Sequence, residues 1–253
     1  MQTPELLCIG HRGAMGHRPE NTLSSIEKAL ALGAPCVEVD VHSVEGHLVV
    51  FHDHRIEETT NGAGYLTEQS FAYLRSLDAG GGQRIPTLGE VCELVAGRAC
   101  LNIELRGRGT AAPVVGQVAV LIESGWKRES LLVSSFNHRE LAEVRRLDPQ
   151  IRLGALIRAL PVDDARFAQD LGAFSVHPAL DFVDRRFVDD AHARGLRVYV
   201  YTVNHPEDIA RMHALGVDGV FTDFPERVLA HYPQGDAASG WTGRTLAPAL
   251  QGQ

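Results

Sequence analysis

Six of the 12 histidines fall within the first 54 residues: His11, His17, His42, His47, His52 and His54. In the same stretch Glu38 and Asp40 stand two apart, between Val37, Val39 and Val41. Strand alternation sends both carboxylates to one face and the valines to the other. Glu104 repeats the pattern further on, with Asn102 and Arg106 on its own face. Charged side chains on an interior face are costly unless they pair with arginines or hold a metal. Three converging carboxylates make an oxygen-rich cavity, which suits one hard divalent cation, Mg²⁺ or Ca²⁺, better than zinc. His11-Arg12-Gly13 and His52-Asp53 each close a β-rich run. Two imidazoles, ordinarily titrating near ~6.5, can supply an acid and a base at neutral pH. Arg12 adds a forked cation that matches phosphate, and Gly13 lets the backbone approach a ligand closely. Together these groups could handle an anionic ester. The cation and arginine would neutralise its phosphoryl oxygens, and the histidines would move protons.

The elements that must position these groups follow one rhythm. Short β-branched runs at 5–10, 36–41, 100–105, 131–134, 152–157, 174–177, 197–203 and 219–222 are separated by amphipathic stretches. A last helical stretch at 225–231 follows the eighth run. Asn21 reads as the N-cap of the first helix and Gly33 as its end. Such alternation implies parallel strands with helical crossovers. Eight units predict a (β/α)8 TIM barrel, with active-site groups at the C-terminal ends of the strands. A doubly wound open sheet is the alternative, but no glycine-rich dinucleotide loop follows the first run. The run 47–51 lies too close to the second strand for a parallel crossover. It predicts a β-hairpin over 36–51, turning at Glu45-Gly46, with its return arm at the barrel mouth. Residues 54–85 then form a small insertion with one helix near 67–77, ahead of a helix at 87–96. The catalytic domain is expected over 1–233. The Gly/Ala/Ser-rich 234–253 is expected to be a flexible tail, anchored at most by Trp241.

Composition narrows the function classes. Hydrophobic residues make up 44% and charged residues 22%, so the chain is neither disordered nor fibrous. The net charge of −8 argues against a nucleic-acid or anionic-membrane partner. No apolar run approaches the ~18 residues of a membrane span, and residues 1–10 carry no secretory leader pattern. Cys8, Cys36, Cys92 and Cys100 have no metal spacing and read as buried thiols of a reducing, cytoplasmic compartment. All but Lys28 and Lys127 of the 24 basic residues are arginine, which reads as coding bias. A homodimer is compatible with the sequence.

Eight blocks carry a family likeness: HRG (11–13), PENT (19–22), EVDV (38–41), VVFHD (49–53), NIEL (102–105), SSF (134–136), TVN (202–204) and DGVFTDFP (218–225). In order and spacing, over residues 6–230, the chain resembles the glycerophosphodiester phosphodiesterases. The resemblance implies a TIM barrel that hydrolyses glycerophosphodiesters, such as glycerophosphocholine and glycerophosphoethanolamine, to sn-glycerol 3-phosphate and an alcohol. It implies His11 and His52 as the acid/base pair and Arg12 as a phosphate ligand. Glu38, Asp40 and Glu104 would hold the metal. Glu20 and Asn21 would brace the loop after His11. His177 would face the mouth. Arg106 stands where the family usually has Lys, and Tyr201 where it often has Trp. Arg106 would be a second phosphate contact with a different cation from the family's, and Tyr201 adds a hydroxyl to the wall facing the alcohol, beside Phe136.

Other features carry less. His17 and Arg18 read as rim residues. His42 and His54 flank the site blocks without matching a motif, with phosphate donation the lesser reading of His54. Ser135 reads as a structural turn, since no nucleophile elbow surrounds it. Tyr65, Phe71, Tyr73 and Leu74 read as packing against the barrel. Were they exposed at the mouth, they would favour a lysophospholipase D-like enzyme acting on lipids. A non-catalytic binder would need a missing catalytic residue, and none is missing. An amidohydrolase-like barrel would need an H-x-H pair in the first strand. Along the outer wall the sequence shows no charge pattern to select one alcohol over another.

Overall fold

The computed structural model describes residues 6–232 together with Gln234 and Trp241. Its strands are β1 (Leu7–Gly10), β2 (Cys36–Val44), β3 (His47–Val50), β4 (Cys100–Leu105), β5 (Leu131–Ser135), β6 (Arg152–Ile157), β7 (Ser175–Pro178), β8 (Arg197–Val200) and β9 (Gly219–Thr222). All but β3 pair in parallel in the ring β1-β2-β4-β5-β6-β7-β8-β9, which closes by the β9–β1 ladder. This is the (β/α)8 barrel expected from the alternation. Its helices include α1 (Leu23–Leu32), α2 (Phe71–Ser76), α3 (Leu88–Val95) and α4 (Ala111–Glu123).

Strand alternation divides the core in two. Outward valines and leucines of the strands, Val37, Val39 and Val41 among them, pack under the helices. Inward residues Leu7, Ile9, Cys36, Cys100, Leu132, Tyr199 and Phe221 fill the lower barrel. Trp241 closes that end. It is fully buried, its indole nitrogen donates to Ser130 O at 3.1 Å, and its carbonyl accepts from the Tyr199 hydroxyl at 2.7 Å. Gln234 also docks, donating to Leu6 O and accepting from Cys8 N. The rest of the expected tail, and residues 1–5, lie outside the described residues.

β3 pairs antiparallel with β2 and stays outside the ring. The hairpin turns through Glu45 and Gly46, both at positive φ, the backbone that a two-residue turn between twisted strands requires. Glu45 is held there by a hydrogen bond from Phe71 N to its carboxylate. The insertion builds its own small core from Val49, Phe51, Ile56, Leu66, Leu74 and Leu77. Contrary to the sequence expectation, Tyr65 and Tyr73 do not pack on the barrel but stay exposed. The helix there is also shorter than expected, spanning α2 alone after a 3₁₀ turn at Leu66–Glu68.

The N-cap of α1 is Thr22, whose hydroxyl accepts from Ser25 N, and not Asn21. Asn21 sits at positive φ one residue earlier and spends its side chain on Asp40. Gly33 ends the helix in the left-handed conformation as expected. Gly13 has φ +84°, and an added Cβ would lie 2.5 Å from the backbone of Ser25. The turn after β1 can therefore press onto the start of α1 only with glycine there.

Candidate active site

The mouth of the barrel lies at the strand C-termini. β2 supplies Glu38 and Asp40, and β4 supplies Glu104, with Asp40 directly beside Glu104 in the parallel register. One oxygen from each carboxylate lies within 4.8 Å of the others. All three side chains are buried. Glu38 Oε2 accepts from Arg12 N at 2.8 Å, while Glu38 Oε1 is buried without a hydrogen-bond partner. Asp40 accepts from Asn21 Nδ2 at 2.9 Å and pairs with Arg12 Nε at 3.2 Å. Glu104 Oε1 accepts from Arg106 Nη1 at 2.8 Å.

Burial, then the neighbouring charge of Asp40, pushes the Glu38 carboxyl well above its ordinary range. The same two causes push Glu104 up to about 7 against the pull of Arg106. Two arginines therefore do not fully compensate three carboxylates. An orphaned buried oxygen and an all-oxygen donor set fit a hard divalent cation, and this cluster can hold a metal ion.

His11 follows β1 directly. Its Nδ1 donates to Asp223 Oδ1 at 2.7 Å. Asn204 locks that carboxylate: its Nδ2 donates to Asp223 Oδ2 at 2.6 Å, and its Oδ1 accepts from Asp223 N at 2.9 Å. Burial alone would raise the Asp223 carboxyl, but the His11 hydrogen bond and charge, with Asn204, hold it below its ordinary value. His52 has its own acceptor, Asp53 Oδ1, 2.6 Å from its Nδ1. Burial lowers the His52 pKa, partly opposed by Asp40 and Asp53. Each imidazole therefore keeps a proton on Nδ1, which leaves Nε2 to take up or release a proton.

A cavity of about 490 Å³ gathers His11, Arg12, Glu38, His52, Glu104 and Arg106 with Phe136, Leu156, Arg158 and Tyr201. Phe136 and Tyr201 meet edge to face, 5.6 Å between centroids. Arg12, at φ 50°, is clamped by Glu20, whose Oε1 accepts from Nη1 at 2.7 Å. Asp40, level with Glu104, is covered by its partners Arg12 and Asn21 and is not among the lining residues.

Several expectations need correction. His177 does not face the mouth. It is fully buried in the barrel, its Nε2 2.8 Å from Ser175 Oγ and its ring against Tyr199 and Phe221. Burial lowers its pKa to about 3, so it is a neutral interior group. The Tyr201 hydroxyl is not offered to a substrate, because it donates to Ile157 O at 3.2 Å. His54 lies exposed at the edge of His42, outside the cavity lining. The outer wall is not free of charge, since Arg158 lines it. Ser135, by contrast, braces a turn as expected, donating to Leu105 O and accepting from Asn137 N. Asp223 and Asn204 escaped sequence reasoning although both stand in quoted blocks. Only the fold shows that DGVFTDFP and TVN meet His11.

A (β/α)8 barrel whose mouth joins two aspartate-backed histidines, two arginines and three buried carboxylates has the makings of a phosphodiester hydrolase. Residues 11–227 match the glycerophosphoryl diester phosphodiesterase family model. A glycerophosphodiester phosphodiesterase of Caldanaerobacter subterraneus subsp. tengcongensis is 34% identical over 233 residues, 88% of this chain and 96% of that protein. One from Bacillus altitudinis is 35% identical over 234 residues, with 87% and 96% covered. Among solved structures, a phosphodiesterase of Oleispira antarctica in complex with the product sn-glycerol-3-phosphate matches with a TM-score of 0.83 at 31% identity, covering 89% of this chain and 96% of that one. The chain belongs to the glycerophosphoryl diester phosphodiesterase family, and its activity is that of a glycerophosphodiester phosphodiesterase. No helix among the described residues is long and apolar enough to cross a membrane.

Proposed function

We propose that the chain hydrolyses glycerophosphodiesters, glycerophosphocholine and glycerophosphoethanolamine among them, to sn-glycerol 3-phosphate and an alcohol in a metal-dependent reaction. The supporting observation is the convergence of His11 and His52, each backed by an aspartate, on one cavity with the carboxylate cluster. Glu38, Asp40 and Glu104 would hold the divalent cation, Mg²⁺ or Ca²⁺. When bound, it would supply positive charge against the developing charge on the phosphoryl oxygens.

The rest follows from the chain's own groups. Arg12, fixed by Glu20 and Asp40, presents its guanidinium to the phosphate, and Arg106 flanks it. His52 is kept neutral at neutral pH by burial, so its Nε2 accepts a proton from the attacking hydroxyl. His11 delivers a proton from Nε2 to the departing alkoxide, and Asp223 balances the imidazolium charge across Nδ1. Phe136, Leu156 and Tyr201 form a wall that excludes water from one side of the phosphate. Sites built around hydroxyl-bearing substrates reject analogues without the hydroxyl by up to roughly 10⁴–10⁵.

The test compares glycerophosphocholine and glycerophosphoethanolamine with bis(p-nitrophenyl) phosphate, in Mg²⁺, Ca²⁺ or chelator. We expect turnover of the glycerol diesters with a metal and none with chelator. A higher kcat/KM for the aryl diester would show a general phosphodiesterase and overturn this reading.

A further inference from the structure

Arg158 stands immediately beyond β6. In the ring of strands β6 is fourth from β1 in either direction, so it lies diametrically across the mouth from His11 and Arg12. It lines the same cavity as they do, beside Leu156, Tyr201 and Phe136, and it is solvent-exposed. Its charge reaches the Tyr201 hydroxyl, where it works against the effect of burial.

The arginines around the mouth fall into two kinds. Arg12 and Arg106 are tied to carboxylates of the cluster. Among the described residues, Arg158 makes no ion pair and no hydrogen bond, and neither does the side chain of Arg108 or Arg139. Arg108 and Arg139 line a depression that shares Phe136 with the main cavity. The one acid there, Glu140, is already held by Gly109 N at 2.9 Å and Ala111 N at 3.0 Å. Elsewhere on this acidic chain some exposed arginines are paired, as Arg98 is with Glu27 and Arg146 with Glu143, while Arg18 and Arg84, among the described residues, stand unpaired outside the cavity. The far side of the mouth is thus a cationic rim without counter-ions.

We infer that Arg158 is a specificity residue that reads negative charge on the alcohol half of the substrate, so that diesters whose alcohol carries a carboxylate or a phosphate are preferred. This rests on the reading that the scissile phosphate sits between Arg12 and the two histidines. An alcohol leaving from there and crossing the mouth meets Arg158. The aromatic pair Phe136–Tyr201 gives a quaternary ammonium a π-face, but an exposed cation–π contact is weak. An uncompensated guanidinium on the same wall repels that ammonium more strongly at a comparable distance. The Phe136 ring then serves as an apolar shelf under the alcohol's carbon skeleton.

Two matched pairs test this. In one, sn-glycero-3-phosphoglycerol is compared with the glycerate diester, in which a CH₂OH becomes a carboxylate. In the other, glycerophosphoinositol is compared with its inositol monophosphate derivative. For wild type we expect kcat/KM to favour each anionic member about tenfold, with the ratio falling as salt is raised. Arg158→Gln should bring the ratios near one, and Arg158→Glu should push them below one while glycerophosphocholine gains. Discrimination in only one pair would still support the assignment and would identify the carboxylate or the phosphate as the recognised group. A wild-type ratio near one, or a ratio that survives Arg158→Gln, overturns it. So does an equal loss on both members of a pair, which would put Arg158 on the scissile phosphate. If the neutral members are hydrolysed without preference, this inference alone fails. If none of the four is hydrolysed, the underlying reading of the site fails with it.

Discussion

Asp223→Asn is the substitution that most directly probes how the site handles protons. The carboxylate Asp223 accepts on both oxygens, from His11 Nδ1 at 2.7 Å and from Asn204 Nδ2 at 2.6 Å. An amide there has one acceptor and one donor end. If its oxygen faces His11, its NH₂ confronts the Asn204 NH₂. Asn204 cannot turn to relieve this, because its Oδ1 already accepts from Asp223 N at 2.9 Å and the Thr222 hydroxyl at 3.2 Å. The amide therefore turns its NH₂ to His11, which must then accept at Nδ1 and carry its proton on Nε2. The imidazole keeps its place but can no longer hold a proton on both nitrogens. A charge-assisted hydrogen bond is worth about 1.5–3 kcal/mol, or roughly 10–100-fold in rate at about 1.4 kcal/mol per decade. Losing the imidazolium removes the acid as well, and a general acid contributes about 10²–10⁴. We expect kcat to fall by about 10²–10⁴ while KM changes little, because Asp223 does not line the cavity. The assay is release of sn-glycerol 3-phosphate across pH 5–9, beside His11→Ala as the reference loss. If Asp223→Asn retains kcat within about threefold of wild type while His11→Ala does not, the reasoning fails.

Three further outcomes follow from the structure. Glu38 and Glu104 have raised pKa values in the fold, so the apo protein should lose stability as pH rises from the unfolded value near ~4.3, with the Glu104 penalty fully present above about 7. Mg²⁺ or Ca²⁺ at about 100 times its pH 8 Kd should then return about 2.7 kcal/mol, or roughly 5–10 °C in Tm, at pH 8, and the same concentration much less at pH 5. Equal gains at both pH values in differential scanning calorimetry would refute this. Arg12→Lys cannot span both Glu20 and Asp40 and should cost at least about tenfold in kcat/KM, whereas Arg106→Lys can still reach Glu104 and should be milder. The reverse order in steady-state kinetics would refute that ranking. Trp241→Ala should cost about 3–5 kcal/mol in urea unfolding with kcat unchanged at 25 °C, because the indole fills the barrel end opposite the mouth. A stability within error of wild type would refute its role as a plug.

The barrel itself was legible because each strand carries its own signal, and eight signals with a helix between each pair leave few topologies. The hairpin was legible for a different reason: the gap between Asp40 and His47 is too short for a crossover. What the sequence could not supply was pairing across distance. The Asp223–Asn204 lock on His11 joins residues 19 and 212 positions apart, and nothing local distinguishes Asp223 from a capping acid ahead of Pro225. His177 misled for the opposite reason. Its strand runs Ser175, Val176, His177, Pro178, and the last residues of a barrel strand usually reach the mouth. Here Gly154 on β6 leaves the ring space to lie inward, since a Cβ at 154 would come within 2.4 Å of it. The missing side chain that set the direction of His177 lay on a neighbouring strand. Thr22 and Asn21 show the same limit on a small scale: both are good N-cap types, and only the demand of Asp40 for a donor decides between them.

The interior strands also explain how the fold tolerates three buried carboxylates. Along β2 the inward residues run Cys36, Glu38, Asp40, and along β4 they run Cys100, Asn102, Glu104, in register. The lowest layer, with Trp241, is apolar and closed to water. The next layer sets Glu38 opposite Asn102 in register, and its neutral groups satisfy one another, Asn102 with Ser134 at 2.9 Å and His177 with Ser175 at 2.8 Å. Asp40 and Glu104 come last, where Arg12 and Arg106 pair with them and a hydrated cation could enter. Glu38, one layer deeper, accepts from the Arg12 backbone N–H while its Oε1 stays buried without a partner, so it bears the larger desolvation cost. A charge one layer higher would be solvated, and its raised proton affinity would vanish. The acids therefore sit at the depth where burial leaves them short of positive charge without denying access to it, which is the condition for a site that draws in a cation and an anionic ester together.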